Sequence, residues 1–182
     1  MKKLILNSCG FIGLISLSII GHVSADNTNS NLKTSTASNV SANDADFFQK
    51  AAQIGLFELR AAEVASTRAI MKNTKSYASM LAMEHNKNND QLKALAASKN
   101  VQLPDQLNDD HQKHLKDLQK ENYKDFDESY IEEMIEGHKD AIYLFEKTAK
   151  DSKDADIRAY ANNTLPALKK HLQAAQAIDK KN

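Results

Sequence analysis

The sequence has 182 residues, with 24 basic side chains balancing 24 acidic ones, so it offers no field of one sign to attract nucleic acid, and that class of partner is set aside. A single cysteine excludes a disulfide framework.

Met1 to Ala25 reads as a secretory signal. Lys2 and Lys3 form a basic start, an apolar run extends from Leu4 to Ile20, and Val23-Ser24-Ala25 ends in the small residues that precede cleavage. An uncleaved anchor of about 17 residues could just span a bilayer, but the polar tract that follows favours removal. A lipoprotein signal ending at Cys9 is disfavoured, since only Leu4 to Leu6 precede it as an apolar core. Cleavage after Ala25 removes Cys9, Lys2 and Lys3, leaving a thiol-free chain with a formal charge of about −2. No later apolar run could cross a bilayer, so a soluble periplasmic product is expected.

Residues 26–43 are rich in Asn, Ser and Thr and have little to bury, so a flexible leader is expected there. The folded domain is expected over 44–180. It has two glycines, Gly55 and Gly137, two prolines, Pro104 and Pro166, no period-two segment, and abundant Ala, Leu, Lys and Glu, which together specify an all-α domain.

The first long helix is expected from about Asp44 to Lys72. A small-residue stripe (Ala51, Gly55, Ala62, Ala65, Ala69) is broken by Glu58, beside a bulkier stripe of Phe48, Leu56, Leu59 and Ile70. Asn73-Thr74 marks a turn, and the second helix follows to Lys99 on Tyr77, Leu81, His85 and Leu92. Residues 100–125 form a long connection holding Pro104 and a short amphipathic helix on Leu107, Leu115 and Leu118. Asp127 reads as the N-cap of a third long helix ending near Lys150, with Ile131, Met134, Ile135, His138, Ala141, Ile142 and Phe145 on one face. The fourth runs from Asp154 to Lys180 on Ile157, Ala161, Leu168, His171 and Ala175, and Pro166 is expected to kink or restart it. Four long helices with one long middle connection describe a four-helix bundle with a crossover.

Histidines 85, 138 and 171 lie on apolar stripes, as does Glu58. At about 1.5 Å of rise per residue, Glu58 stands roughly 22 Å above the bundle floor, His85 about 18 Å and His138 about 17 Å, while His171 falls roughly 8 Å lower. Imidazole and carboxylate donors converging from separate helices suit zinc, copper or iron, so Glu58, His85 and His138, with His171 as a fourth, form a candidate metal site. Asn88, Asn89 and Glu84 are available to orient it. Core histidines paired with carboxylates by packing alone explain the same residues, and both readings stay open. Gly55 and Gly137 make room at that level, although close helix packing accounts for them equally well.

Two weaker metal signals are present. His111 and His114, beside Asp109 and Asp110, fit either zinc or a solvated face. Met80 and Met83 ahead of His85 fit either copper or core filling. No Gly-rich phosphate loop, nucleophile elbow or paired-cysteine motif is present. The Glu-x-x-His pairs of a di-iron carboxylate bundle are missing, since Glu84 and Glu132 are followed three residues later by Lys87 and Ile135.

Short motifs then carry a resemblance. Asp46-Phe47-Phe48 with Ala51-Ala52, Glu58, Ala65, Tyr77-Ala78 and Met83-Glu84-His85 resemble the bacterial domain of unknown function 4142. So do Phe126-Asp127 with Tyr130, His138 with Ala141-Ile142, and Thr164-Leu165-Pro166 with Leu168 and His171-Leu172. The similarity extends from about Asp44 to Ile178, with Glu84 standing where that family commonly has Asp. It implies a ferritin-like bundle exported in Gram-negative bacteria and often labelled an outer membrane protein, although no β-barrel alternation is visible. The family supplies no activity to carry over. The residues therefore favour a non-enzymatic binding protein with a metal ion in its core. The alternative is a structural or stress-related envelope protein whose histidines only pack and whose helix faces bind a protein partner.

Overall fold

The computed structural model describes residues 40–180. The signal at 1–25 and the leader up to residue 39 lie outside the described residues. Five helices follow in order: α1 (Ala42–Arg68), α2 (Lys72–Ser98), α3 (Asp109–Lys120), α4 (Phe126–Asp151) and α5 (Ala155–Asp179). None is long and apolar enough to cross a membrane.

Each start has a local cause. Ser41 Oγ accepts the Asp44 N–H at 3.1 Å, so α1 begins at Ala42, two residues ahead of the expected boundary. Asn108 caps α3 through the His111 N–H, and Asp154 caps α5 through Asp156 and Ile157. At the end of α2, Asn100 takes a left-handed φ of 56°. Its N–H bonds to Ala97 O and that of Val101 to Ala96 O, closing the helix in a Schellman turn.

Four helices form a square. The α1–α2 and α4–α5 hairpins pack together through α1 against α4 and α2 against α5, and α3 lies along α1 and α4. The crossover is tied to α1, with Gln49 and Gln53 donating to Gln102 O and Gln106 O, each at 2.8 Å, and Arg68 donating to Glu121 O. This brings the chain back to the floor before α4 starts.

Three local readings are corrected. The first turn falls at residues 69–71 rather than at Asn73-Thr74, and Ile70, expected on the bulky stripe, is 61% exposed there. Asp127 does not cap its own helix, whose cap position is Asp125. Its buried carboxylate reaches across to accept the Ile70 and Met71 N–H groups at 2.8 and 3.1 Å, fixing the entry to α2. Pro166 does not restart the last helix, because α5 continues through it to Asp179 with Ala161, Leu168, His171 and Ala175 all buried. Packing of that face outweighs the one lost backbone hydrogen bond.

The apolar core comes in two parts. One holds Phe57, Leu81, Tyr130, Ile131 and Met134 near the floor, and the other holds Phe47, Phe48, Leu92, Phe145, Ile157 and Leu168 near the top. Between them lies a layer of ionisable side chains.

Candidate metal centre

Glu58 on α1, His85 on α2, His138 on α4 and His171 on α5 make up that layer, one from each wall of the bundle. Exposure is 0% for Glu58, His138 and His171 and 3% for His85. Ring centroids lie 5.8 Å apart for His85 and His138, 5.5 Å for His85 and His171, and 5.3 Å for His138 and His171. One nitrogen from each of the three rings falls within 4.8 Å of the others. All four residues singled out in the sequence are thus brought together, and His171 sits level with the rest rather than below them.

The contacts fix the protons. His138 Nδ1 lies 2.8 Å from Met134 O, and a carbonyl only accepts, so the proton is on Nδ1 and Nε2 keeps its lone pair. His171 Nε2 lies 2.7 Å from Glu84 Oε2, which places its proton there and the lone pair on Nδ1. Glu84 therefore does what its position suggested and orients a histidine. Tyr77 adds a bond to the His171 carbonyl at 3.3 Å, which holds the backbone of α5 at that point.

Glu58 Oε2 lies 3.0 Å from His85 Nε2, and Oε1 lies 3.2 Å from His138 Nδ1. Neither contact has the direction of a hydrogen bond, and both oxygens remain without one, so the attraction is electrostatic. His85 Nε2, His138 Nε2 and His171 Nδ1 are likewise buried without a hydrogen-bond partner.

Electrostatics follow from the one carboxylate. Burial pushes the Glu58 carboxyl up, but the electrostatic pull of the surrounding rings of His138 and His85, with the His85 contact and His171, outweighs it and holds the group down to about 2. Burial pushes His85 down, yet Glu58 and Glu84 leave it raised above an ordinary imidazole. His171 is lowered by burial, against the bond to Glu84, with the neighbouring rings of His138 and His85 adding to the lowering. The opposite directions for His85 and His171 are physical, since one buried carboxylate can balance one imidazolium and not several.

The donor set fits a transition-metal ion. A tetrahedral ion with nitrogens at about 2.0–2.1 Å sets them about 3.3 Å from one another, so the rings would need to draw in by about 1.5 Å at most. Beside Glu58 and His85 lies a cavity of about 20 Å³ bordered by Asn88, Asn89 and Thr164, enough for one water and for no organic substrate. Asn89 donates to Gly55 O at 3.2 Å, and Tyr160 to Asn88 O at 3.3 Å.

The other candidates lie elsewhere. His111 and His114 on α3 flank Phe57 of α1, away from the polar layer, with Nδ1 atoms bonded to Asn108 and Glu133. Met80 packs against the lower core while Met83 is 67% exposed, so the two thioethers are not presented together.

Three comparisons bear on this architecture. The sequence model of the domain of unknown function DUF4142 matches residues 29–178. Among solved structures, a DUF305 fragment from Deinococcus radiodurans superposes with a TM-score of 0.70 at 12% identity, covering 79% of this chain and 99% of that one, a likeness of fold alone. No curated protein matches.

Proposed function

The chain belongs to the DUF4142 family, and from that premise we propose that it is a non-enzymatic binding protein that holds one zinc, copper or iron ion in the middle of its bundle. Histidines 85, 138 and 171 would be the ligands, with Glu58 as a fourth ligand or counter-charge and Glu84 orienting His171. The ion would supply a positive centre for three imidazole lone pairs and one carboxylate.

What carries this reading is the orphaned polar layer. Five buried donor or acceptor atoms of Glu58, His85, His138 and His171 have no hydrogen-bond partner. At about 1–3 kcal/mol for each such group, the layer costs on the order of 5–15 kcal/mol, as much as a domain's whole stability. Charge contacts to Glu58 offset part of that cost, and a bound cation would offset the rest. Apolar side chains at these positions would join the two halves of the core, so a layer kept polar at this cost points to use.

The Met1 to Ala25 pattern supports periplasmic localisation, which N-terminal sequencing of the exported protein beginning at Asp26 would check.

Elemental analysis of untagged protein from the periplasm tests the central point. About one ion per chain is expected, with a rise in Tm when metal is restored to stripped protein. Trace metal and no thermal shift would favour the competing reading, an envelope protein whose histidines only pack. That reading draws on the contacts each histidine already makes with Glu58 or Glu84.

A further inference from the structure

Two glycines stand within a turn of the polar layer, and packing explains one of them. A Cβ on Gly55 would collide with Asn89 Oδ1, so α1 needs glycine where α2 approaches. A Cβ on Gly137 would meet one atom within 4 Å, Glu58 Oε1 at 3.5 Å, an ordinary contact. Alanine fits there, and glycine inside a helix costs about 1 kcal/mol relative to alanine. What the missing side chain leaves is a thinner cover of α4 over a buried, unpartnered carboxylate.

That thin point faces a groove of about 1310 Å³ between α1, α3 and α4, bordered by both Gly137 and Glu58. Eleven carboxylates line it against four lysines, in a chain whose charges balance overall. Lys50, Lys113 and Lys147 are each tied to a neighbouring aspartate, Lys139 pairs with Glu136 and His114 with Glu133, and an acidic excess remains along the groove after these pairings. His111 and His114 border the same groove, and their Nδ1 contacts to Asn108 and Glu133 leave Nε2 as the lone-pair atom of each ring. An anion would be repelled from this surface, and a cation would be concentrated on it.

We propose that this groove is the route by which a divalent transition-metal cation reaches the buried histidines, with Gly137 left bare as its inner opening. The proposal rests on the metal-centre reading. Carboxylates and the outer imidazoles gather the ion, the apolar floor of Phe47, Ile54 and Phe57 offers it no competing ligand, and Glu58 is the first inner group it meets.

Stopped-flow mixing of metal-free protein with Co²⁺, read by the visible absorption of imidazole ligation, tests this. Gly137→Leu should slow association about tenfold or more, with dissociation slowed in proportion and equilibrium affinity unchanged. Gly137→Ala, which the structure accommodates, should raise the apo Tm and slow association by a smaller factor. Raising ionic strength should slow the unmodified protein, because the attraction is screened within about 10 Å at 0.1 M salt. Unchanged association rates in both variants would overturn the route while leaving the metal centre intact, as would weakened affinity at an unaltered association rate. If the unmodified protein takes up no Co²⁺, and no Zn²⁺ or Cu²⁺ in equilibrium dialysis, the metal reading itself has failed and the route goes with it.

Discussion

Glu58→Gln isolates the charge at the centre of the polar layer, since the amide keeps the volume and removes the carboxylate. Displacement of the carboxyl from 4.5 to about 2 corresponds to about 3 kcal/mol of stability. This agrees with the roughly 3–5 kcal/mol lost when one partner of a buried ion pair is removed. Because the folded-state pKa is depressed, this stability is present above about 4.5 and disappears as pH falls through 2. His85 is displaced the other way, so its share is complete below 6.5 and is lost as pH rises through its raised folded value. The stability difference between metal-free wild type and variant should therefore be greatest between about pH 4.5 and 6.5, reach about 3 kcal/mol there, and shrink on both sides. Urea unfolding midpoints from pH 3 to 9 in the presence of a chelator measure it. Parallel curves for the two proteins would refute the account of Glu58 as the charge that holds the histidines.

Other perturbations separate the parts of the structure. Asp127→Ala removes two partly buried hydrogen bonds to backbone N–H groups at the entry to α2 and should cost about 2 kcal/mol in urea unfolding, with metal content unchanged. Glu84→Ala should leave the Tm of stripped protein nearly as it was while weakening metal affinity about 10–100-fold, measured by competition with a chelator, because His171 loses the acceptor that fixes its proton. Gly55→Ala should destabilise by about 1–3 kcal/mol as Asn89 is displaced, opposite in sign to the gain of up to about 1 kcal/mol at Gly137→Ala. Calorimetry on the two alanine variants reads that contrast.

The helices and their order were legible in the sequence because apolar spacing dictates them locally. Glu58, His85 and His138 were legible as one level because helical rise converts residue number into height. His171 was misplaced by that arithmetic for a reason the structure supplies. His138 lies thirteen residues before the end of α4 and His171 sixteen after the start of α5, a mismatch of about 4.5 Å along antiparallel axes. Side chains lean toward the N-terminus of their own helix, so those on antiparallel helices lean toward each other and close it. Asp127 was misread because its partners, Ile70 and Met71, are more than fifty residues away. A local pattern names a cap and cannot name which helix receives it. The difference between Gly55 and Gly137 was likewise hidden, since it depends on what faces each Cα from another helix.

X-ray absorption spectroscopy of the metal-loaded protein addresses the central claim most directly. Three imidazole nitrogens at about 2.0–2.1 Å are predicted for zinc, and His171→Ala should show one fewer with the helical circular dichroism unchanged. A spectrum without imidazole scattering would contradict the account. So would one insensitive to residues 85, 138 and 171 but altered by His111→Ala or His114→Ala.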